Sequence, residues 1–247
     1  MTRLFAAELL KLRTLRSTWG FALVALLLAG LATAGNIGGT QALERHEPEF
    51  QFRIVLDAAF PAAVLSLLLG MILVTNEFRH GTIARTLLAT PRRGRLVVIK
   101  LLAGAAMGAA LMLVTLVVTA STAAVWLGFL DVTLELGEAA DGASRALVGV
   151  VLAGTLGAAI GGAVHSQVGA LVGALVWIFV AEPLCWALLG LLDAGGAAEY
   201  LPAASLGGIV DSGGGGLPFA GSVAMALVWT AMATALALLR TSRRDIT

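Results

Sequence analysis

The side chains able to do chemistry are few and scattered. Histidines stand at positions 46, 80 and 165, in three different connections between apolar runs, and Cys185 is the only cysteine. That set builds none of the Cys-rich zinc spacings and permits no intrachain disulfide, so a metal site has no support and Cys185 reads as a small packing residue. Ser166 follows His165 directly, no carboxylate is placed to orient the pair, and G-x-S-x-G is absent, which argues against serine nucleophile chemistry. A G-x-x-x-x-G-K-[ST] phosphate loop is missing despite thirty glycines; Gly213 to Gly216 lacks the following lysine and reads as a flexible linker. The carboxylates between Asp131 and Arg145 lack the calcium-loop spacing and read as a solvated connection. The expectation is a chain that is not an enzyme and holds no metal or cofactor.

Two features remain. Glu182 is an acidic residue embedded in an apolar run, where a carboxylate must be neutral, paired or at a wet boundary. With Pro183 it reads either as a gate or pathway residue, or as a helix end at the outer interface, which the following proline favours. The second feature is the basic stretch from Asn76 to Lys100, where Arg79, Arg85, Arg92, Arg93, Arg95 and Lys100 face only Glu77 in charge. Between two apolar runs, such a stretch reads as a cytoplasmic loop. Gly81 predicts a break, Thr82 can cap a short helix to about Ala89, and Thr90 with Pro91 makes a cap and first turn for the next helix. Ile83, Ala84, Leu87 and Leu88 fall on one side of that short helix and offer an apolar knob to a partner.

The elements that must hold these residues are membrane helices. A chain that is 59% hydrophobic and 13% charged lies far from a soluble domain, whose charged share is about a quarter. At roughly 20 residues per span, 247 residues give about six spans with short connections and leave no room for a soluble catalytic domain. The spans fall at about Trp19 to Ala34, Ala58 to Thr75 with Pro61 near its outer end, Leu96 to Leu130, two within Ala146 to Ala181 divided by a tight turn at His165-Ser166-Gln167, and Pro218 to Leu239. The third is too long for one upright helix and must tilt or project. Residues 1–18 read as an interfacial helix whose apolar stripe is interrupted by Glu8, with Lys11, Arg13 and Arg16 offered to headgroups. The same cations serve equally as a determinant of the first span's orientation, and a cleaved signal peptide ending near Ala32-Thr33-Ala34 is the alternative. Gly104/Gly108, Gly157/Gly161 and Gly169/Gly173 share the four-residue spacing that lets helix backbones approach closely.

Cations gather on one side. Placing both termini and the Asn76 to Lys100 stretch in the cytoplasm puts nearly all Arg and Lys there and most carboxylates outside, which fixes a multi-pass orientation in the cytoplasmic membrane. Leu184 to Leu192 is too short to span. Either the fifth helix kinks at Pro183 and continues, or it stops near Glu182 and residues 183–217 form an external re-entrant segment; the second is preferred.

The order Glu77-x-Arg79-x-Gly81-Thr82-Ile83, followed by Thr86-Leu87-Leu88-Ala89-Thr90-Pro91-Arg92-Arg93, resembles the cytoplasmic coupling segment of type-2 ABC transporter permeases. The number and order of spans extend the resemblance over nearly the whole chain. It implies an all-α membrane protein with a single permease domain over 1–247, an N-terminal interfacial helix, six transmembrane helices, and a re-entrant external hairpin before the last span. It further implies a separate ATP-binding subunit that holds the ATP, a second permease copy or a related permease, and outward movement of a hydrophobic or amphipathic substrate such as a drug, peptide antibiotic or lipid. The partner-binding residues carried over are Glu77, Arg79, Gly81, Thr82, Ile83, Arg85, Leu87, Leu88, Thr90, Pro91, Arg92 and Arg93. A membrane scaffold that anchors a cytoplasmic partner without transport is the competing reading. A proton-coupled carrier using Glu182 ranks third.

Overall fold

In a computed structural model of the protein, residues 2–14, 16–41, 47–81, 93–132, 136–210 and 216–242 are described. All the regular elements among them are helical. They run α1 (Thr2–Thr14), α2 (Arg16–Gly39), α3 (Pro48–Arg79), α4 (Arg93–Phe129), α5 (Leu136–Val164) and α6 (Gln167–Val176). A π-helical turn (Trp177–Ala181) joins α6 to α7 (Glu182–Leu191); a 3₁₀ turn (Gly195–Tyr200), α8 (Pro202–Val210) and α9 (Phe219–Ser242) complete the order. Six segments among the described residues are long and apolar enough to cross a membrane: Thr18–Gly39, Phe52–Arg79, Gly94–Phe129, Ala139–Val164, Gln167–Leu191 and Phe219–Arg240. The protein is an all-α, multi-pass membrane protein.

The second span is the axis of the bundle. Within its apolar window 83% of residues are buried, against 11% in the fifth span, so α3 is wrapped by protein while α6 and α7 lie at the periphery. Most of its burial is against α5, with α2 and α4 on its other sides. Small residues make this possible. A Cβ on Gly157 would overlap the Leu67 carbonyl oxygen of α3, and one on Gly104 of α4 would come within 2.6 Å of the Gly154 carbonyl oxygen of α5. Ser66 sits in the same three-helix seam and donates its hydroxyl to the Val150 carbonyl at 2.9 Å. The pairs Gly157/Gly161 and Gly104/Gly108 are thus used inside one chain, whereas Gly173 has open space beside it.

Helix lengths exceed the sequence expectation at several ends. α3 starts at Pro48 and passes through Pro61 without interruption. α4 has 37 residues, which gives a rod of ~55 Å against a hydrocarbon thickness of ~30 Å. At the N-terminus α1 covers Thr2–Thr14 and α2 covers Arg16–Gly39, and residue 15 lies outside the described residues. The turn expected at His165 is present, with His165 in the left-handed region at φ 60° and the Ser166 hydroxyl capping α6 by accepting from the Gly169 N–H at 3.2 Å.

Around Glu182 the helix continues, contrary to the preferred reading. The fifth span runs from Gln167 to Leu191. The physical reason lies just upstream: the π-helical turn already displaces the regular ladder, and Pro183 falls in the first turn of α7, where a missing N–H costs least. The fold-back itself does occur, but it starts beyond Leu191 rather than at Pro183. Asp193 turns the chain at φ 53°, and the Tyr200 carbonyl then accepts from the Trp229 indole at 2.9 Å, partway along α9. From there α8 runs to Ile209 and Val210, which pack on Gly149 of α5.

The seam yields a direct test. Replacing Gly157 by Leu should destabilise the protein by more than the ~1–3 kcal/mol of ordinary overpacking, because backbone must move to admit it, whereas Gly35→Leu on the exposed part of α2 should be nearly neutral. Thermal unfolding of the detergent-solubilised variants measures both. Equal stabilities would refute the close approach of α3 and α5.

Candidate functional site

At the end of the bundle where α1, the C-terminal end of α3 and the N-terminal part of α4 meet, four charges converge. Lys11 Nζ lies 2.8 Å from Glu8 Oε1 and 2.6 Å from Glu77 Oε1, and Lys100 Nζ lies 2.9 Å from Glu77 Oε2 and 3.9 Å from Glu8 Oε2. Glu8, Glu77 and Lys100 are buried, at 4%, 5% and 5% exposure, while Lys11 is half-exposed. Among the described residues two carboxylates and two ammonium groups offset one another, as charge in an apolar bundle requires. Burial pulls the Lys11 ammonium down, but the hydrogen-bonded Glu77 and Glu8 carboxylates outweigh it and hold its pKa above the usual lysine value. It stays cationic through the physiological range.

Local sequence sets this geometry. Glu8 and Lys11 are one helical turn apart on α1, so both point at the same neighbour. Phe5 on the same helix packs into a cluster with Leu69, Leu73, Ala103 and Met107, which anchors α1 against α3 and α4. Glu77 and Lys100 stand on the two helices that enter and leave the basic stretch. The interruption of the α1 apolar stripe by Glu8 is explained: that position faces Lys11 and Lys100 rather than lipid.

The remaining residues expected for partner binding are distributed as follows. Glu77 faces inward, held by Lys11 and Lys100, at the root of the stretch. Arg79 is exposed and donates to the Gln167 side chain at 3.1 Å, tying the end of α3 to the start of α6. Beside it, Phe78 meets the His165 ring edge-on at 4.3 Å between centroids. Gly81 follows the helix end in the left-handed region at φ 64°, the break expected of it. Arg93 opens α4. Thr82, Ile83, Arg85, Leu87, Leu88, Thr90, Pro91 and Arg92 lie outside the described residues. The sequence places Lys100 among the cations of the basic stretch and offers Lys11 to headgroups or to the orientation of the first span; the i,i+3 spacing of Glu8 and Lys11 is the available signal for the cluster.

Glu182 forms a second polar centre, buried where the π-helical turn passes into α7 and not at a wet outer end of the span. It is 3% exposed. Its carboxylate accepts the Trp177 indole N–H, the Ala203 N–H at 3.0 Å and the Ala204 N–H. Ala203 and Ala204 belong to the first turn of α8, whose N–H groups have no intrahelical partner, so a remote carboxylate caps a fold-back helix at its positive end. Pro202 opens that helix without an N–H, and the next two donors, on Ala203 and Ala204, both go to Glu182. Pro183 beside it serves the helix continuation described above.

Among the described residues no group of three or more His, Cys, Asp or Glu side chains is arranged to hold a metal ion. Comparison with protein-family models yields no match, and no curated protein matches the chain.

Glu182→Gln keeps the size but presents an NH2 to donors, so at least one buried N–H loses its acceptor. The expected cost is about 1–3 kcal/mol of stability. Denaturation in detergent, read through tryptophan fluorescence, checks this. A Gln variant as stable as the parent would refute the capping role.

Proposed function

We propose that this chain is the membrane-spanning permease subunit of an ATP-driven exporter, driven through residues 76–100 by a separate ATP-binding subunit. The observation that carries the reading is the charge cluster: Glu77 and Lys100, one on each root of the basic stretch, are ion-paired to each other and, through Lys11 and Glu8, to the N-terminal helix. A loop whose two roots are locked together moves α3 and α4 as a unit when it is pushed. α3 is the most buried helix, so displacement of its end is transmitted to α5 through the glycine seam. A loosely rooted loop would absorb the push by local bending.

The remaining parts of the proposal follow from that one. The basic stretch and both termini face the cytoplasm, because the cations of the chain concentrate there. ATP is bound by the partner and not by this chain. Arg85, Arg92 and Arg93 supply polar contacts to the partner, Leu87 and Leu88 pack, and Glu77 works as a strut within the permease rather than as a contact. A second permease copy pairs with this one, and the substrate moved outward is hydrophobic or amphipathic.

The test looks for a soluble protein with a phosphate-binding loop among the reading frames beside this chain and co-expresses it with the chain. Arg85→Glu combined with Arg92→Glu should weaken co-purification of that protein by at least about tenfold while membrane insertion is retained. Stimulation of its ATP hydrolysis by the permease should fall in parallel. Unchanged binding and stimulation in the double variant, or no such partner at all, would refute the reading.

A further inference from the structure

The molecule contains an apolar cavity of about 360 Å³ between α3, α5, the fifth span, α8 and α9. Its walls include Leu156, Gly173, Trp177, Pro202, Leu206 and Trp229. Both tryptophans have spent their polar group elsewhere: the Trp177 indole N–H goes to Glu182 and the Trp229 indole N–H to the Tyr200 carbonyl. They turn hydrocarbon towards the cavity. From Gly169 to Trp177 the helical wall runs for ~12 Å at about 1.5 Å per residue.

With the fifth span in a bilayer, its exposed apolar face beside the cavity meets hydrocarbon. The fifth span carries an exposed stripe of Val168, Val172 and Val176, and Gly173 between them leaves the wall open. Water entering such a space finds too few polar partners, and an empty space forfeits the dispersion contacts of its lining. We infer that this cavity is a binding site for a single acyl chain of a bilayer phospholipid, which wedges between the fifth span and the fold-back helix α8. Glu182 is its positioning residue: by capping α8 it holds Pro202 and Leu206 in place as one wall. The inference requires the six spans to lie in a bilayer and is independent of ATP coupling.

Gly173 and Ala174 both line the cavity and a Cβ at Gly173 meets nothing within 4 Å, so Gly173→Phe adds a ring at the wall and Ala174→Leu is a milder filling of it. Gly35→Phe, in open space on α2, is the control. Each protein is reconstituted in vesicles of phosphatidylcholine and phosphatidylglycerol, extracted, washed with detergent, and weighed intact by mass spectrometry to count retained phospholipids. The parent and Gly35→Phe should keep one phospholipid per protomer that both filling variants lose, with all four proteins showing the same helical content by circular dichroism. Equal retention in the parent and Ala174→Leu overturns the site. Loss of self-association on filling, with lipid retention unchanged, also overturns it and assigns the cavity to a second copy of the chain.

Discussion

The constraint on which the structure turns is that charge inside an apolar bundle must be closed locally. Glu77 and Lys100 are buried on adjacent helices, and neither is tolerable without the other. Their pairing fixes the axial registry of α3 against α4, since a shift of one turn would separate the charges by several ångströms. Glu8 and Lys11 then join the cluster from a third helix. The N-terminal helix is thereby held by ion pairs as well as by Phe5, and the two ends of the basic stretch have a common base.

The same logic recurs at Glu182 with different partners. There the compensation comes from N–H groups, two from backbone and one from an indole, in place of cations. A carboxylate at the positive end of a short helix satisfies donors that the helix cannot satisfy itself. Between these two polar centres the bundle is held by backbone proximity through glycine, which needs no polar group and allows α3, α4 and α5 to share one seam. The periphery is looser, and it is there, beside Gly173 and the fold-back, that space remains.

Much of the architecture is legible in the sequence because the bilayer requires it. Charge-free runs must be helices, and the run from Ala146 to Ala181 divides where His165 and Ser166 supply a turn. Gly81 as a helix terminator is legible for the same kind of reason, since its φ of 64° suits a residue without a Cβ. The polar centres are not legible, because they depend on residues far apart in the chain. Glu8 looks like a defect in a stripe until Lys100, on another helix, is placed opposite it. Glu182 beside Pro183 looks like a helix end, since the sequence does not display the π-helical turn that carries the helix past the proline or the distant α8 donors that hold the carboxylate.

The most direct measurement of this account is the coupling energy between Glu77 and Lys100. Glu77→Gln, Lys100→Gln and the double variant would be unfolded thermally in the same detergent. Each single change should cost about 3–5 kcal/mol, because it strands an opposite charge, and the double variant should cost less than the sum by more than about 1 kcal/mol. Additivity within about 0.5 kcal/mol would contradict the locked base from which the rest of the structure is argued.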